Sequence, residues 1–319
     1  MATPLVAIVG PTASGKSALA MQLARRRGGE IVSCDSLQVY RGFDIGSAKA
    51  TSEERAEVTH HLVDVADPGD VFSAADYAGL ARAALLGIRD RGRLPIVAGG
   101  TGLYLRAFLE GLFDGPPRDE AIRRRLDRLA TRFGDERLHR LLARVDPDAA
   151  ERISPRDRVR VIRALEVYRA TGEPITDRQR AGSEPLQGFR TLVIGLDPGR
   201  RALRRAVEAR TRLMLEAGLV DEARRLLARG VAADRGPLRA IGYRQAVAVV
   251  RGEMTEEGAE RAIATETMRL AKRQMTWFRH QAHVGWFQEA SAALSAVESW
   301  LDGPERPGPV PKDGANSLT

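Results

Sequence analysis

Gly10-Pro11-Thr12-Ala13-Ser14-Gly15-Lys16-Ser17 follows the apolar run Leu5-Val6-Ala7-Ile8-Val9 and opens onto the helical pattern Ala18 to Arg26. Strand, loop and helix in that order are the context a phosphate-binding loop requires. Its glycines let backbone N–H groups converge on an anion at a helix N-terminus, Lys16 adds a point charge, and the Ser17 hydroxyl is offered to Mg²⁺. The expected ligands of a di- or triphosphate are therefore Gly10, Thr12, Ala13, Ser14, Gly15, Lys16 and Ser17. The loop does not name the owner of that phosphate, because kinases, NTPases and other diphosphate users share the cradle.

Outward from the loop, short apolar β-branched runs alternate with helical patterns, as a parallel α/β fold requires. Strands are predicted at Leu5–Val9, Glu30–Cys34, Leu62–Val65 and Leu94–Ala98, with helices near Gly15–Arg27 and Ser73–Arg91. The polar residues that follow them, Gly10 onward, Asp35, Asp64 and Gly99-Gly100-Thr101-Gly102, lie where open α/β sheets bind ligands. From Gly115-Pro116-Pro117 the pattern turns helical: Arg118–Arg132, Asp135–Ala143, Asp148–Arg152 and Arg156–Thr171, closed by Gly172. A strand returns at Thr191–Leu196, followed by helices from Arg200 to Ala217 and Thr255 to about His283, a strand at Val284–Gln288 and a helix to Trp300. The expected architecture is a P-loop NTPase-like parallel sheet core flanked by helices (1–115 and 190–301), interrupted by an all-helical insertion domain (116–189). The Pro- and Gly-rich tail 302–319 is expected to be disordered.

The 319 residues carry a formal net charge of +8 and a pI near 10.2. Either a polyanionic partner or an arginine-rich coding bias accounts for this. The stretch 116–180 holds 17 arginines against 12 acidic residues, so it contributes much of the excess. Only four of the 50 basic residues are lysines, and two of them, Lys16 and Lys49, stand in the motif-rich first third, where a compact charge on a flexible stem has a use that arginine cannot fill. The single cysteine, Cys34, excludes an intramolecular disulfide framework and a Cys-based zinc site. No basic leader precedes the first strand, and no apolar run approaches the roughly 20 residues that span a bilayer. A cytoplasmic protein is expected, without a membrane segment.

Asp35, at the end of the second strand, can touch a substrate, orient it or accept its proton; an ordinary loop aspartate has the same address. Adjacent His60 and His61 point to opposite faces of a strand and do not easily share one metal ion. Two further segments interleave bases with aromatics: Arg239-Ala240-Ile241-Gly242-Tyr243-Arg244-Gln245 and Ala271-Lys272-Arg273-Gln274-Met275-Thr276-Trp277-Phe278-Arg279. They suit an RNA backbone with stacked bases, while for Met275, Trp277 and Phe278 helical spacing favours an ordinary core.

In order along the chain, the phosphate loop, Asp35-Ser36, Val39-Tyr40-Arg41-Gly42, Asp44-Ile45-Gly46, Ala48-Lys49, His60-His61-Leu62, Gly99-Gly100-Thr101, Arg163-Ala164-Leu165-Glu166, Ile241-Gly242-Tyr243-Arg244-Gln245 and Lys272-Arg273-Gln274 resemble the tRNA dimethylallyltransferases, in their bacterial form. Cys34, Ser47 and Ala50 depart from the family's usual alanine or valine, threonine and proline. The resemblance implies dimethylallyl diphosphate on the phosphate loop, Mg²⁺ on Ser17, and transfer of the five-carbon group to N6 of adenosine 37 in tRNAs reading codons that begin with U. It implies Arg210 as a diphosphate ligand, Asp35 as the base, and catalytic places for Lys16, Ser17 and Thr101. It also implies contact with the tRNA anticodon stem-loop by Asp35, Ser36, Leu37 and Gln38, by Val159, Arg160 and Arg163, and by Arg239, Gly242, Tyr243 and Arg244, with the insertion closing on the RNA. A monomer without an obligate protein partner is expected. The rival reading is a P-loop nucleoside or small-metabolite kinase, in which the arginine-rich insertion would be a mobile lid.

Overall fold

The alternating runs build one parallel sheet. The computed structural model describes residues 2–303 apart from 114, 181, 183 and 235. In chain order come β1 (Thr3–Val9), α1 (Lys16–Arg27), β2 (Gly29–Cys34), α2 (Ser52–Glu57), β3 (His60–His61), α3 (Ala74–Asp90), β4 (Leu94–Gly99) and α4 (Gly102–Glu110). Five helices follow: α5 (Glu120–Phe133), α6 (Asp135–Val145), α7 (Pro147–Arg152), α8 (Arg158–Thr171) and α9 (Ile175–Arg180). The chain then makes β5 (Phe189–Leu196), α10 (Arg200–Glu216), α11 (Leu219–Ala228), a 3-10 turn (Gly236–Arg239), α12 (Tyr243–Val250), α13 (Glu256–Gln281), β6 (Gly285–Phe287) and α14 (Ala290–Asp302).

Strand order is β3-β2-β4-β1-β5-β6, with parallel pairing throughout. Because β4 enters between β1 and β2, pairing Ile8 with Ala98 on one side and Cys34 with Gly99 on the other, the loops after these three strands become neighbours. That juxtaposition makes the crevice of the fold. Leu19, Leu23, Ile8, Ile31, Ile96 and Ile194 are enclosed between the sheet, α1 and α14, and each such side chain contributes about 1.5–3 kcal/mol by burial. A second cluster, around Phe43, Leu219, Leu226, Leu238, Tyr243 and Ile263, sits under the loop that follows β2.

Two compact units are present. One runs to Phe108 and resumes at Leu186; the other is Leu109–Pro185. The helical unit thus begins in the last turn of α4 rather than at Pro116, where composition changes. It has its own core, from Leu126 and Ala130 through Leu138, Leu142, Val161, Leu165 and Ile175. Three of its helices, α5, α7 and α8, start on side-chain caps, Asp119, Asp146 and Asp157 accepting from the amides of Ala121, Ala149 and Arg160.

The strand expected at Leu62–Val65 is instead β3 at His60–His61. Leu62 and Asp64 take left-handed φ values of 61° and 59°, which no extended ladder allows. Asp64 therefore turns away from the sheet end and binds Lys49 and Arg55 rather than facing the crevice. Asp302, expected in the disordered tail, closes α14 and pairs with Arg27 at 2.7 Å; 304–319 lies outside the described residues. Among the described residues no helix is long and apolar enough to cross a membrane.

Candidate active site

The phosphate loop wraps the N-terminus of α1. Gly15 is its N-cap at φ 92°, and Gly10, at φ 140°, passes so near Leu196 that a Cβ would lie 2.8 Å from that carbonyl oxygen. Both positions require glycine. The first amides of α1 have no acceptor inside the helix and face the loop's concavity. The Ser14 Oγ is buried without a hydrogen-bond partner among the described residues, an acceptor or donor that an anion can satisfy. Ser17, on the first turn, is exposed.

Two cations converge here. Lys16 Nζ donates to the Pro11 carbonyl at 3.1 Å, and Arg210, from α10, donates to Thr12 Oγ1 at 2.7 Å. Burial, and secondarily the charge of Arg210, pulls Lys16 down to about 8, with Asp35 acting in the opposite direction. Burial lowers Arg210 as well, again opposed by Asp35. Paired cations held at such a cost are the electrostatic mark of an anion site. A cavity of about 400 Å³ beside the loop is lined by Lys16, Ser17, Gln38, Glu54, His60 and Arg210 among polar residues and by Met21, Ile31, Ala98 and Ala206 among apolar ones. A ligand with a polyanionic head and a short apolar body matches that lining.

Asp35 follows β2 directly. Its Oδ1 accepts from the amides of Leu37 (2.8 Å) and Gln38 (3.3 Å), which fixes the carboxylate plane, and Oδ2 has no hydrogen bond among the described residues. Thr101, after β4, accepts from the Ser36 amide at 3.1 Å, while its own amide donates to Cys34 O at 3.2 Å. The two loops are thereby stitched together. Cys34 is a buried thiol that burial raises to about 12, so it acts as a small hydrophobe and not as a nucleophile.

The loop from Tyr40 to Lys49 is held by two buried charges. Lys49 Nζ donates to Asp44 (2.6 Å), Asp64 (2.7 Å) and the Tyr40 carbonyl (2.9 Å). Glu222, from α11, accepts from the amides of Asp44, Ile45 and Gly46 and from the Tyr243 hydroxyl. Lysine scarcity singled out Lys49. Glu222 escaped the sequence reading, although a carboxylate inside the apolar stripe Leu219, Val220, Ala223 and Leu226 was a usable signal. Gln274 carries no sequence signal beyond its motif; it lies three and four residues from buried Ala271 and Phe278, in the seam of α13.

Several expected RNA contacts are placed otherwise. Tyr243 is fully enclosed, its ring 4.7 Å from Phe43, so it cannot stack on a base; Gly242 is the buried N-cap of α12. The Gln38 amide is engaged by Ser33 and by the carbonyls of Ser47 and Ala48. Arg163 is tied to buried Glu166 and the Pro116 carbonyl, which makes it a structural arginine of the helical unit. By contrast Ser36, Arg239, Val159 and Arg160 are exposed, and Leu37 is half-buried; Arg244 is exposed and paired with Glu266. Phe278 is core and Trp277 half-buried, covering Gly102. His60 meets the Val58 carbonyl and His61 meets Glu30, and no group of three potential metal-binding His, Cys, Asp or Glu occurs among the described residues.

A family model described as IPP transferase matches residues 38–281. The chain is 47% identical over 300 residues to a tRNA dimethylallyltransferase of Solibacter usitatus, covering 94% of this chain and 97% of that one. It is 49% identical over 289 residues to the same enzyme of Koribacter versatilis, covering 90% and 94%. Among solved structures, the tRNA isopentenylpyrophosphate transferase of Bacillus halodurans superposes with a TM-score of 0.67 at 40% identity, covering 93% of this chain and 95% of that one. A eukaryotic dimethylallyltransferase described as acting on tRNA shares the fold, with a TM-score of 0.76 at 24% identity over 97% and 82% of the two chains.

Proposed function

The chain belongs to the tRNA dimethylallyltransferase family, and from that premise we propose that it transfers the dimethylallyl group of dimethylallyl diphosphate to N6 of adenosine 37 in tRNAs that read codons beginning with U. The observation that carries this reading is the meeting of a cationic phosphate cradle, at the end of β1, with a carboxylate held by two backbone amides at the end of β2, the turn after β4 lying between them. The family places this chain with prenyl transferases and not with kinases.

In this reaction the N6 lone pair attacks C1 of the donor, the C1–O bond breaks, and its electron pair leaves with diphosphate. An allylic carbon tolerates the positive charge that develops, so the protein's main task is to neutralise the leaving group. Lys16, the α1 amides and Arg210 do that. Alkylation acidifies N6, and Asp35 Oδ2 takes its proton. Thr101 keeps the Asp35 loop in place through its bonds to Ser36 and Cys34. The exposed Ser17 hydroxyl and the unpartnered Ser14 Oγ fit a metal-diphosphate, and Ser17 is the residue that would hold Mg²⁺, which supplies further charge neutralisation.

The adenosine must leave its stack, at a cost of a few kcal/mol that is smallest for an unpaired loop base. Exposed Arg239, Val159 and Arg160, together with Ser36 and Leu37, are the residues we assign to the RNA. Affinity for an anticodon stem-loop should fall with salt, log K dropping by about 0.7–0.9 per phosphate neutralised. Arg160→Ala should reduce that slope by about one such increment, read by fluorescence anisotropy across a salt series. An unchanged slope removes Arg160 from the interface.

Arg210→Ala should lower kcat/KM for the donor by a factor corresponding to about 1.5–3 kcal/mol, the value of a charge-assisted hydrogen bond. Steady-state kinetics in donor at saturating RNA measures it, and wild-type values would make Arg210 a helix arginine only. The function itself is tested by mass spectrometry of a stem-loop RNA incubated with dimethylallyl diphosphate, and of the same RNA with adenosine 37 replaced. Absence of the prenylated product, with ATP-dependent phosphorylation of a small acceptor in its stead, would restore the kinase reading.

A further inference from the structure

The Gln274 side chain joins the two halves of the site. Its Oε1 accepts from the Thr12 amide at 2.9 Å, and its Nε2 donates to the Gly100 carbonyl at 2.9 Å. Both distances are ordinary, and one orientation of the amide satisfies both partners. On one side, Thr12 carries the hydroxyl that receives Arg210. On the other, Gly100 precedes Thr101, whose amide and hydroxyl hold Cys34 and Ser36 on either side of Asp35.

Local packing is shaped around this bridge. A Cβ on Gly100 would lie 2.4 Å from Gln274 Nε2, and one on Gly102 would lie 2.3 Å from the Trp277 ring. The helix α13 therefore seats against the turn after β4 through two positions that accept no side chain, with Phe278 anchoring the same stretch in the core. The bridge is fixed at both ends and in the middle.

We propose that Gln274 is a positioning residue for the transfer reaction, setting the register between the diphosphate-binding loop and the loop that carries Asp35, through hydrogen bonds to Thr12 and Gly100. This rests on the functional reading above. In-line displacement needs the donor's C1 and the N6 atom at a defined separation, and small displacements of either loop are expensive in rate. Gln274 does this without touching either substrate.

The decisive variant is Gln274→Glu. At neutral pH its carboxylate still accepts from Thr12 but sets an oxygen against the Gly100 carbonyl, whereas the protonated carboxyl restores both bonds. Repulsion raises the carboxyl above the ordinary value of about 4.3. Single-turnover prenyl transfer by Gln274→Glu should therefore be impaired near neutral pH and recover relative to wild type on acidification. That recovery also demonstrates a folded protein. Gln274→Leu, which makes neither bond, should lose about tenfold or more in single-turnover rate at all pH values, with stem-loop affinity unchanged. Calorimetry with inorganic diphosphate should show affinity for Gln274→Glu falling, relative to wild type, as its carboxyl ionises.

Wild-type rates in both variants, or a Gln274→Glu profile parallel to wild type, would overturn the proposal. So would a defect expressed only as weaker RNA binding, which would make Gln274 an RNA contact. If the wild-type protein transfers no prenyl group, the functional reading fails by itself, and the diphosphate titration alone decides whether Gln274 orders the loop.

Discussion

Asp35→Ala keeps its fold and most of its donor affinity and loses turnover by about 10²–10⁴, the range expected for a positioned base. The fold survives because the Oδ1 contacts to Leu37 and Gln38 lie in a loop that is independently held through Thr101, Gln38 and Lys49. Asp35→Asn separates two roles of the carboxylate. An amide oxygen can still accept from the same backbone amides and so keep the loop in shape, but it is a poor base for the N6 proton. Turnover by Asp35→Asn should therefore stay near that of Asp35→Ala. Single-turnover transfer to the stem-loop RNA, with donor affinity measured separately, distinguishes the steps. A wild-type rate in Asp35→Ala would pass the base's role to another group or to water.

Lys16→Ala should cost about 10²–10³ in kcat, comparable to deleting one preorganised donor from a site of developing negative charge. The structure adds a pH dependence. In the free protein Lys16 titrates near 8 because burial and Arg210 disfavour its charge. A bound diphosphate favours the charged form, so binding draws in a proton once the pH exceeds that value. Donor affinity contributed by Lys16 is thus fully present below about 8 and declines as pH rises through it. Titration with inorganic diphosphate from about pH 6.5 to 9.5 should show the decline in wild type and a shallower one in Lys16→Ala. Parallel curves would remove Lys16 from the phosphate site.

These effects differ in how they could have been read from the chain. The phosphate loop is a contiguous string whose geometry is local: two glycines, a lysine and a helix start suffice, so Lys16 and Ser17 were legible without a fold. Asp35 is legible as a candidate from its place at the end of β2, with its role as base implied by the resemblance, whereas Arg210 follows from the resemblance alone, because a residue some 200 positions from the loop carries no local signal of its destination. Tyr243 shows the opposite failure. Beside Arg239 and Arg244 it reads as a stacking aromatic, and its burial depends on Phe43, from the distant loop after β2, and on Glu222, from α11.

Periodicity and turn chemistry alone determined the alternating strands and helices, the parallel sheet, the cradle and the helical interruption, since hydrogen-bonded ladders and buried faces impose spacings of two and 3.6 residues on any such chain. Tertiary structure alone decided strand order, and with it the placing of β4 between β1 and β2 that makes neighbours of Gly10, Asp35 and Thr101. It also ended β3 at His61, where Leu62 turns left-handed and Asp64 pairs with Lys49, and it brought Gln274 and Glu222 onto loops far away in sequence. A side chain's hydrogen-bonding groups specify the kind of partner it requires, and only the folded backbone brings that partner within 3 Å.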